Sequence, residues 1–263
     1  MKLVILGSGT AVPHAQRASA AHWLTVQDFS LLLDPSASFM LRAAQEGLDW
    51  AALDAIWISH FHLDHIGGLA PFLFGTKFAP QTQARRQPLV IYGPQGTARL
   101  LHAFDDANRY RLLEQPFPVE IREVDAGAEF PLGPHLHAAT CDTPHTPESL
   151  ALRLQDAGGA SVAYTSDMGY SADVAEFARG TDVLLTECSF RVKPPRSKHL
   201  DLADAVRLAR VAGPRCLVLA HFYPQWDGAD IAAEAAKLWD GKTIAAFDGL
   251  RLAIAGEKTA QIC

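Results

Sequence analysis

Ile56-Trp57-Ile58-Ser59-His60-Phe61-His62-Leu63-Asp64-His65-Ile66-Gly67-Gly68 is the stretch from which the rest of the chain can be read. The apolar run Ala55 to Ile58 reads as a short buried strand. Directly after it, four side chains of metal-ligand type fall within six residues. His60 and His62 are two apart in extended backbone and face the same side. Asp64 and His65 lie where the chain must turn into a helix, so they reach a second point a few ångströms away. Gly67-Gly68 permits a close backbone approach as that helix begins. The spacing suits two metals, with the histidine pair on one and the Asp-His pair on the other. The competing reading is a His-rich surface loop, but three histidines and a carboxylate after a strand have no packing purpose.

Outward from this stretch, strand and helix signals alternate. Towards the N-terminus, Leu3 to Leu6 is an apolar run closed by Gly7-Ser8-Gly9. His22 to Gln27 and Phe29 to Leu33 flank Asp28 as in a tight hairpin, and Ser38 to Glu46 reads as a helix ended by Gly47. Towards the C-terminus, the pattern predicts helices over Ile66 to Phe74 and Thr97 to Asn108 and a strand over Pro88 to Tyr92. Further strands are predicted over Val119 to Val124, His135 to Cys141, Leu150 to Leu154, Ser161 to Thr165, Val183 to Thr186 and Cys216 to Ala220. Two amphipathic helices are predicted, Leu202 to Val211 after the N-cap candidate Asp201, and Ala229 to Trp239. No linker or short repeat interrupts the chain, which reads as one α/β domain.

Composition narrows the function. Among 263 residues, 23 Lys+Arg stand against 29 Asp+Glu, a net charge of −6, which disfavours a protein gripping nucleic acid through a basic surface. No apolar stretch approaches the roughly 18 residues of a membrane span, and the N-terminal run reads as a strand and not a signal peptide. Cys141, Cys188, Cys216 and Cys263 are scattered without close pairs, consistent with a reduced, cytoplasmic enzyme.

The His-x-His-x-Asp-His pattern of residues 60–65 resembles the signature of the metallo-β-lactamase superfamily. The resemblance implies a four-layer αββα sandwich as a single domain over residues 1–263. It also implies a third histidine, an acidic residue and a final histidine on later strand ends. This sequence supplies His145 in Asp142-Thr143-Pro144-His145, Asp167 in Tyr164-Thr165-Ser166-Asp167, and His221 in Val218-Leu219-Ala220-His221. By that match His60, His62 and His145 would hold one metal, Asp64, His65 and His221 the other, and Asp167 would bridge them. From the residues alone, His135 and His137 compete with His145, and Asp167 could instead cap a helix. His14, His22 and His102 have no spacing argument. Two Zn²⁺ ions are the implied cofactors, with Mn²⁺ or Fe²⁺ as substitutes. His62 stands where redox relatives carry glutamate, which favours redox-inert hydrolysis. True β-lactamases lack the bridging aspartate in its place.

Leu6-Gly7-Ser8-Gly9-Thr10-Ala11-Val12-Pro13 with Arg17, and Tyr92-Gly93-Pro94-Gln95-Gly96-Thr97, are similar to the ribonuclease Z-like branch. Gly7-x-Gly9 lacks the third glycine of a dinucleotide-binding turn. Thr186-Glu187-Cys188-Ser189-Phe190 and Lys198-His199-Leu200-Asp201 resemble the paired motifs of that branch. They imply His199 as the leaving-group acid and Glu187 as its orienting partner, although Asp201 replaces the usual threonine. Asp64, His199 and Glu187 are thus the catalytic candidates.

His145 and Asp167 are only 22 positions apart, too close for the arm with which ribonuclease Z enzymes clamp tRNA. Asp34-Pro35-Ser36-Ala37-Ser38 replaces their Gly-Glu-Gly-Thr element. A folded tRNA is therefore not the expected partner, no membrane is expected, and a homodimer is left open. Two zinc ions set against Asp64, Asp167 and a shared hydroxide leave a local charge of about +1, suited to a phosphodiester. The expected reaction is hydrolysis of small or cyclic phosphodiesters or short nucleic-acid ends by that hydroxide, and the alternative is a lactone, thioester or other carboxylic ester. Lys193, Arg196 and Lys198 could form a basic rim, although a solvated loop is the simpler explanation, and a loop from Phe74 to Arg86 could contact substrate through Phe78, Arg85 and Arg86.

Overall fold

A computed structural model describes residues 1–255 and the backbone of the strand at 258–262; Cys263 lies outside the described residues. The first half forms β1 (Lys2–Gly7), β2 (Ala21–Val26), β3 (Phe29–Leu33), β4 (Ala55–Trp57), β5 (Leu89–Pro94) and β6 (Val119–Val124). The second half forms β7 (Glu129–Gly133), β8 (Leu136–Asp142), β9 (Leu150–Asp156), β10 (Ser161–Tyr164), β11 (Val183–Glu187), β12 (Cys216–Ala220) and β13 (Thr243–Ala245). The chain then returns to the first sheet as β14 (Arg251–Ala255) and β15 (Lys258–Ile262), so the sheet orders are β15-β14-β1-β2-β3-β4-β5-β6 and β13-β12-β11-β10-β9-β8-β7.

Side chains explain why two sheets stack. Along β1, Leu3 and Ile5 belong to the core shared by the two sheets, while Val4 and Leu6 belong to the core under the helices of the first sheet. Leu31 and Leu33 against Leu32, and Ala55 and Trp57 against Ile56 and Ile58, repeat the alternation. Strands buried on both faces read as unbroken apolar runs, as these do. The outer helices of the first sheet are α1 (Phe39–Gln45), α2 (Leu63–Ile66), α3 (Leu69–Phe78) and α4 (Thr97–Asp106). Those of the second are α5 (Ala172–Phe177), α6 (Leu202–Ala212) and α7 (Ile231–Ala236), and the result is the expected four-layer sandwich in one domain.

Each sheet is antiparallel at one side and parallel at the other. β3, β4, β5 and β6 run parallel, as do β10, β11, β12 and β13. β8 and β9 pair antiparallel, as do β9 and β10, so β8 ends at the same edge as β10. In open α/β sheets the crevice beyond the carboxyl ends of parallel strands is where ligands gather.

Several boundaries differ from the sequence expectation. The helix expected over Ile66 to Phe74 is two helices, α2 and α3, with Gly67 and Gly68 at the joint. Gly68 N–H donates to the Pro35 carbonyl at 2.8 Å, and a Cβ there would lie 2.1 Å from the Ser36 carbonyl oxygen; only glycine allows this approach. The expected loop from Phe74 to Arg86 is helical through Phe78. Arg85 is engaged within the protein instead: its guanidinium donates to the carbonyls of Ala51, Leu53, Gln87 and Pro88. β7 was not expected because Pro131 interrupts its pattern, and it survives as an edge strand, where a missing N–H is tolerated. α6 keeps its expected ends, with Asp201 Oδ1 accepting from Asp204 N–H at 3.0 Å and Gly213 closing it at φ 58°. α7 is shorter than the expected Ala229 to Trp239: Asp230 caps its start at Ile231, and it ends at Ala236. Among the described residues no helix is long and apolar enough to cross a membrane.

Candidate metal centre

The carboxyl ends of β3, β4, β8, β10, β11 and β12 deliver Asp34, His60, His145, Asp167, Glu187 and His221 to one crevice. His62, Asp64 and His65 enter it from the turn into α2. His60, His62, His145 and Asp167 form one cluster whose donor atoms lie within 4.8 Å of one another; Asp64, His65, Asp167 and His221 form a second. Asp167 is common to both. Its Oδ2 lies 3.3 Å from His65 Nε2, 3.8 Å from His145 Nε2 and 4.0 Å from His60 Nε2, and its Oδ1 lies 3.3 Å from His221 Nε2. His145 Nε2 and His62 Nδ1 stand 3.0 Å apart, and Asp64 Oδ2 is 3.5 Å from His221 Nε2. All seven expected ligands therefore converge. His135, in a turn at φ 63°, and His137, exposed in β8, do not, and His14 faces Asp227.

The donor set fits divalent cations by an independent observation. Nε2 of His60, His65 and His221 and Oδ1 of Asp167 are buried without any hydrogen-bond partner. Buried polar atoms in folded proteins are nearly always paired, so orphans aimed at a common point mark a missing partner. Burial lowers the pKa of His60, and that of His145 to about 4, so both are neutral imidazoles with lone pairs to give. Burial opposes charge on His65 as well, but Asp167 and Asp34 outweigh it and push its pKa well above the usual value. Asp167 is held far below the carboxylate range despite burial, because His221, His65 and His60 surround it. His62 is exposed and Asp64 partly so, which opens the crevice to solvent on that side.

Behind the donors stands a residue that sequence reasoning missed. Asp34, fully buried, accepts from Ser59 N–H at 2.8 Å, Ser59 Oγ at 2.7 Å and Tyr164 Oη at 2.7 Å, and its Oδ2 lies 2.8 Å from His65 Nδ1. Ser59 Oγ is also 3.0 Å from His60 Nδ1. One carboxylate therefore fixes the rings of His65 and His60 so that Nε2 of each faces the centre, the carboxylate–histidine arrangement common around metals. The only signal in the sequence is an aspartate ending the apolar run Phe29 to Leu33, where the resemblance points to a Gly-Glu-Gly-Thr element. Asp34, Ser166 and His221 all have positive φ, at 58°, 53° and 58°. Such non-glycine conformations at strand ends are held by surrounding structure and cluster at functional sites. Asp34→Ala is expected to weaken divalent-metal affinity by about 10–100-fold, read by competition with a chromogenic chelator. Unchanged affinity would show that His65 needs no such support.

The His199 segment folds onto the centre from the other side. Phe190 and Asp201 form a bridge, with Phe190 N–H bonded to the Leu200 carbonyl and Leu202 N–H to the Phe190 carbonyl. This brings His199 Nδ1 to 3.1 Å and 3.2 Å from the two oxygens of Glu187. Glu187 is itself fixed by Met168 N–H at 2.6 Å and by Ser189 Oγ, whose other neighbour is His221 Nδ1 at 2.9 Å. Burial opposes protonation of His199, but the hydrogen bond and charge of Glu187, with Asp167 and Asp64 behind, raise its pKa to about 9. Asp201 caps α6, a role threonine also performs, so its replacement of threonine leaves the local structure intact. Lys198 and Lys193 do not form the basic rim that was open to them as an alternative to a solvated loop. Lys198 Nζ donates to the His145 carbonyl at 2.9 Å while the Lys198 carbonyl meets His145 Nδ1 at 3.2 Å, and Lys193 pairs with Asp204.

A family profile described as a β-lactamase superfamily domain matches residues 30–222, which hold every donor above. The chain belongs to the β-lactamase superfamily. A protein named ribonuclease Z from Mycobacterium sp. (strain KMS) is 30% identical over 247 residues, 85% of this chain and 85% of its own length. Among solved structures, the metallo-β-lactamase fold protein YhfI from Bacillus subtilis matches with a TM-score of 0.79 at 24% identity, over 95% of this chain and 98% of its own. The short form of human tRNase Z gives a TM-score of 0.79 at 20% identity, over 97% and 99%. This member of the superfamily is a metal-dependent hydrolase, and the two clusters joined at Asp167 are groups that could hold divalent metal.

Proposed function

We propose that the protein is a dinuclear zinc phosphodiesterase acting on small or cyclic phosphodiesters or short nucleic-acid ends. The observation that carries this reading is the pair of donor clusters sharing one buried carboxylate. His60, His62 and His145 would hold one ion, Asp64, His65 and His221 the other, and Asp167 both; Mn²⁺ or Fe²⁺ could serve in place of Zn²⁺. Two ions held by these residues would supply an activated water and neutralise charge on a phosphoryl group. The rest falls to the protein. Asp64, 11% exposed, stands at the solvent side, where it can orient the attacking water. His199, with Nδ1 engaged by Glu187, has Nε2 left to hand a proton to the departing oxygen. Glu187 and Ser189 link that acid to the ring of His221, so acid and metal ligand are positioned by one network.

The relatives named ribonuclease Z support phosphodiester chemistry, while this chain supports a small substrate. Between His145 and Asp167 it has only β9, a turn and β10, all within the second sheet, and no protruding arm. The net charge of −6 agrees. The test is a panel of bis-nitrophenyl phosphate, cyclic nucleotides, a precursor tRNA, a lactone and a thioester offered to zinc-loaded protein. Turnover of the small diesters is expected. Turnover of the lactone or thioester alone would replace this reading with carboxylic ester hydrolysis, and preference for the tRNA would overturn the small-substrate assignment.

A further inference from the structure

Two cations between the donor clusters would account for the orphaned atoms of His60, His65, Asp167 and His221, but not for His22 Nδ1, which is also buried without a partner. His22 lies in β2 opposite Leu33, one residue from Asp34, and its ring meets Tyr164 edge-on at 5.2 Å. A strand position between two sheets ordinarily takes an aliphatic side chain, and a buried imidazole with nothing to bond is costly there. His22 instead lines a cavity of ≈ 10 Å³ together with Tyr164, Ser166, Asp167, Thr186, Glu187 and His221. That is about the smallest space that holds one water, and the wall offers the two to four polar partners a buried water needs.

We propose that this cavity binds a single water between His22 Nδ1 and the Asp167 carboxylate, making His22 a positioning residue for the group shared by both donor clusters. Burial lowers the pKa of His22 to about 3, so the ring is neutral and one nitrogen can accept while the other donates. Asp167 has no backbone or hydroxyl donor of its own among the described hydrogen bonds, so a water from behind would restrain the carboxylate that the imidazoles alone surround. The inference rests on the paired-metal reading of the site and is independent of which ester is cleaved.

The test uses the full chain as wild type, His22→Leu and His22→Gln, with zinc affinity measured by chelator competition and thermal unfolding measured on the metal-free forms. His22→Leu is expected to lose about 10–100-fold in zinc affinity, the range for outer partners of metal ligands, without loss of metal-free stability. His22→Gln, which keeps a hydrogen-bonding group, is expected to recover most of that affinity. Wild-type zinc affinity in His22→Leu would overturn the proposal, as would a fall in metal-free stability with zinc affinity unchanged. If His22→Leu does not fold, a crystal structure of the wild type decides: an ordered water bonded to His22 Nδ1 and Asp167 supports the proposal, and a dry cavity overturns it. Failure of the wild type to bind zinc would instead defeat the paired-metal reading beneath it.

Discussion

Under the proposed paired-metal reading, replacing Asp167 with alanine is expected to abolish most divalent-metal binding and to lower hydrolysis by about 10³-fold or more, the equivalent of several kcal/mol of lost charge stabilisation. Asp167 is 2% exposed and sits 3.3 to 4.0 Å from the Nε2 atoms of four histidines. In so buried a place charges are weakly screened, and without Asp167 two dications would keep only Asp64 as an anionic donor. Asp167→Asn keeps the shape and removes the charge, so it separates electrostatics from packing and is expected to lose metal nearly as completely. Elemental analysis after desalting is the measurement. An Asp167→Ala protein that retains its full zinc complement would remove this residue from the centre, whatever happened to its activity.

How much of this was legible in the chain depends on where each signal lies. That His60, His62, Asp64 and His65 gather at one place could be read directly, because three histidines and a carboxylate after an apolar strand have no packing purpose. His145, Asp167 and His221 needed the resemblance to order them, since a single polar residue ending a strand is also what a cap or a turn looks like. The sheets were legible as apolar runs because both faces of each central strand are buried. What escaped was whatever depends on contacts between segments far apart in sequence. Asp34 and Tyr164 are 130 residues apart and meet only when the sheets stack, and His22 acquires meaning only from the cavity behind Asp167. Nothing in the sequence neighbourhood of Lys198 reveals that its ammonium meets the carbonyl of His145, 53 residues away. Short elements such as β13 and α5 escaped for another reason: three to six residues do not complete enough periods to be distinguished from loop.

For His199→Ala the expected result is a split between substrates. With a diester whose leaving group is an alkyl alcohol, kcat should fall by about 10²–10⁴-fold, the usual contribution of a positioned general acid. With a nitrophenyl leaving group, which departs as a stable anion, the loss should be far smaller. The structure supports this because Glu187 is itself fixed, by Met168 N–H at 2.6 Å and by Ser189, and so holds His199 Nδ1 in one orientation with Nε2 left for substrate. Glu187→Gln should show the same dependence on leaving group in weaker form, with KM little changed, since it alters the orientation and charge of the acid without touching substrate. A merely structural role would instead depress both substrates alike. Equal losses on the alkyl and nitrophenyl diesters would therefore take His199 out of the chemistry and leave the Glu187–His199 pair as a strut that ties the segment after β11 to the N-terminus of α6.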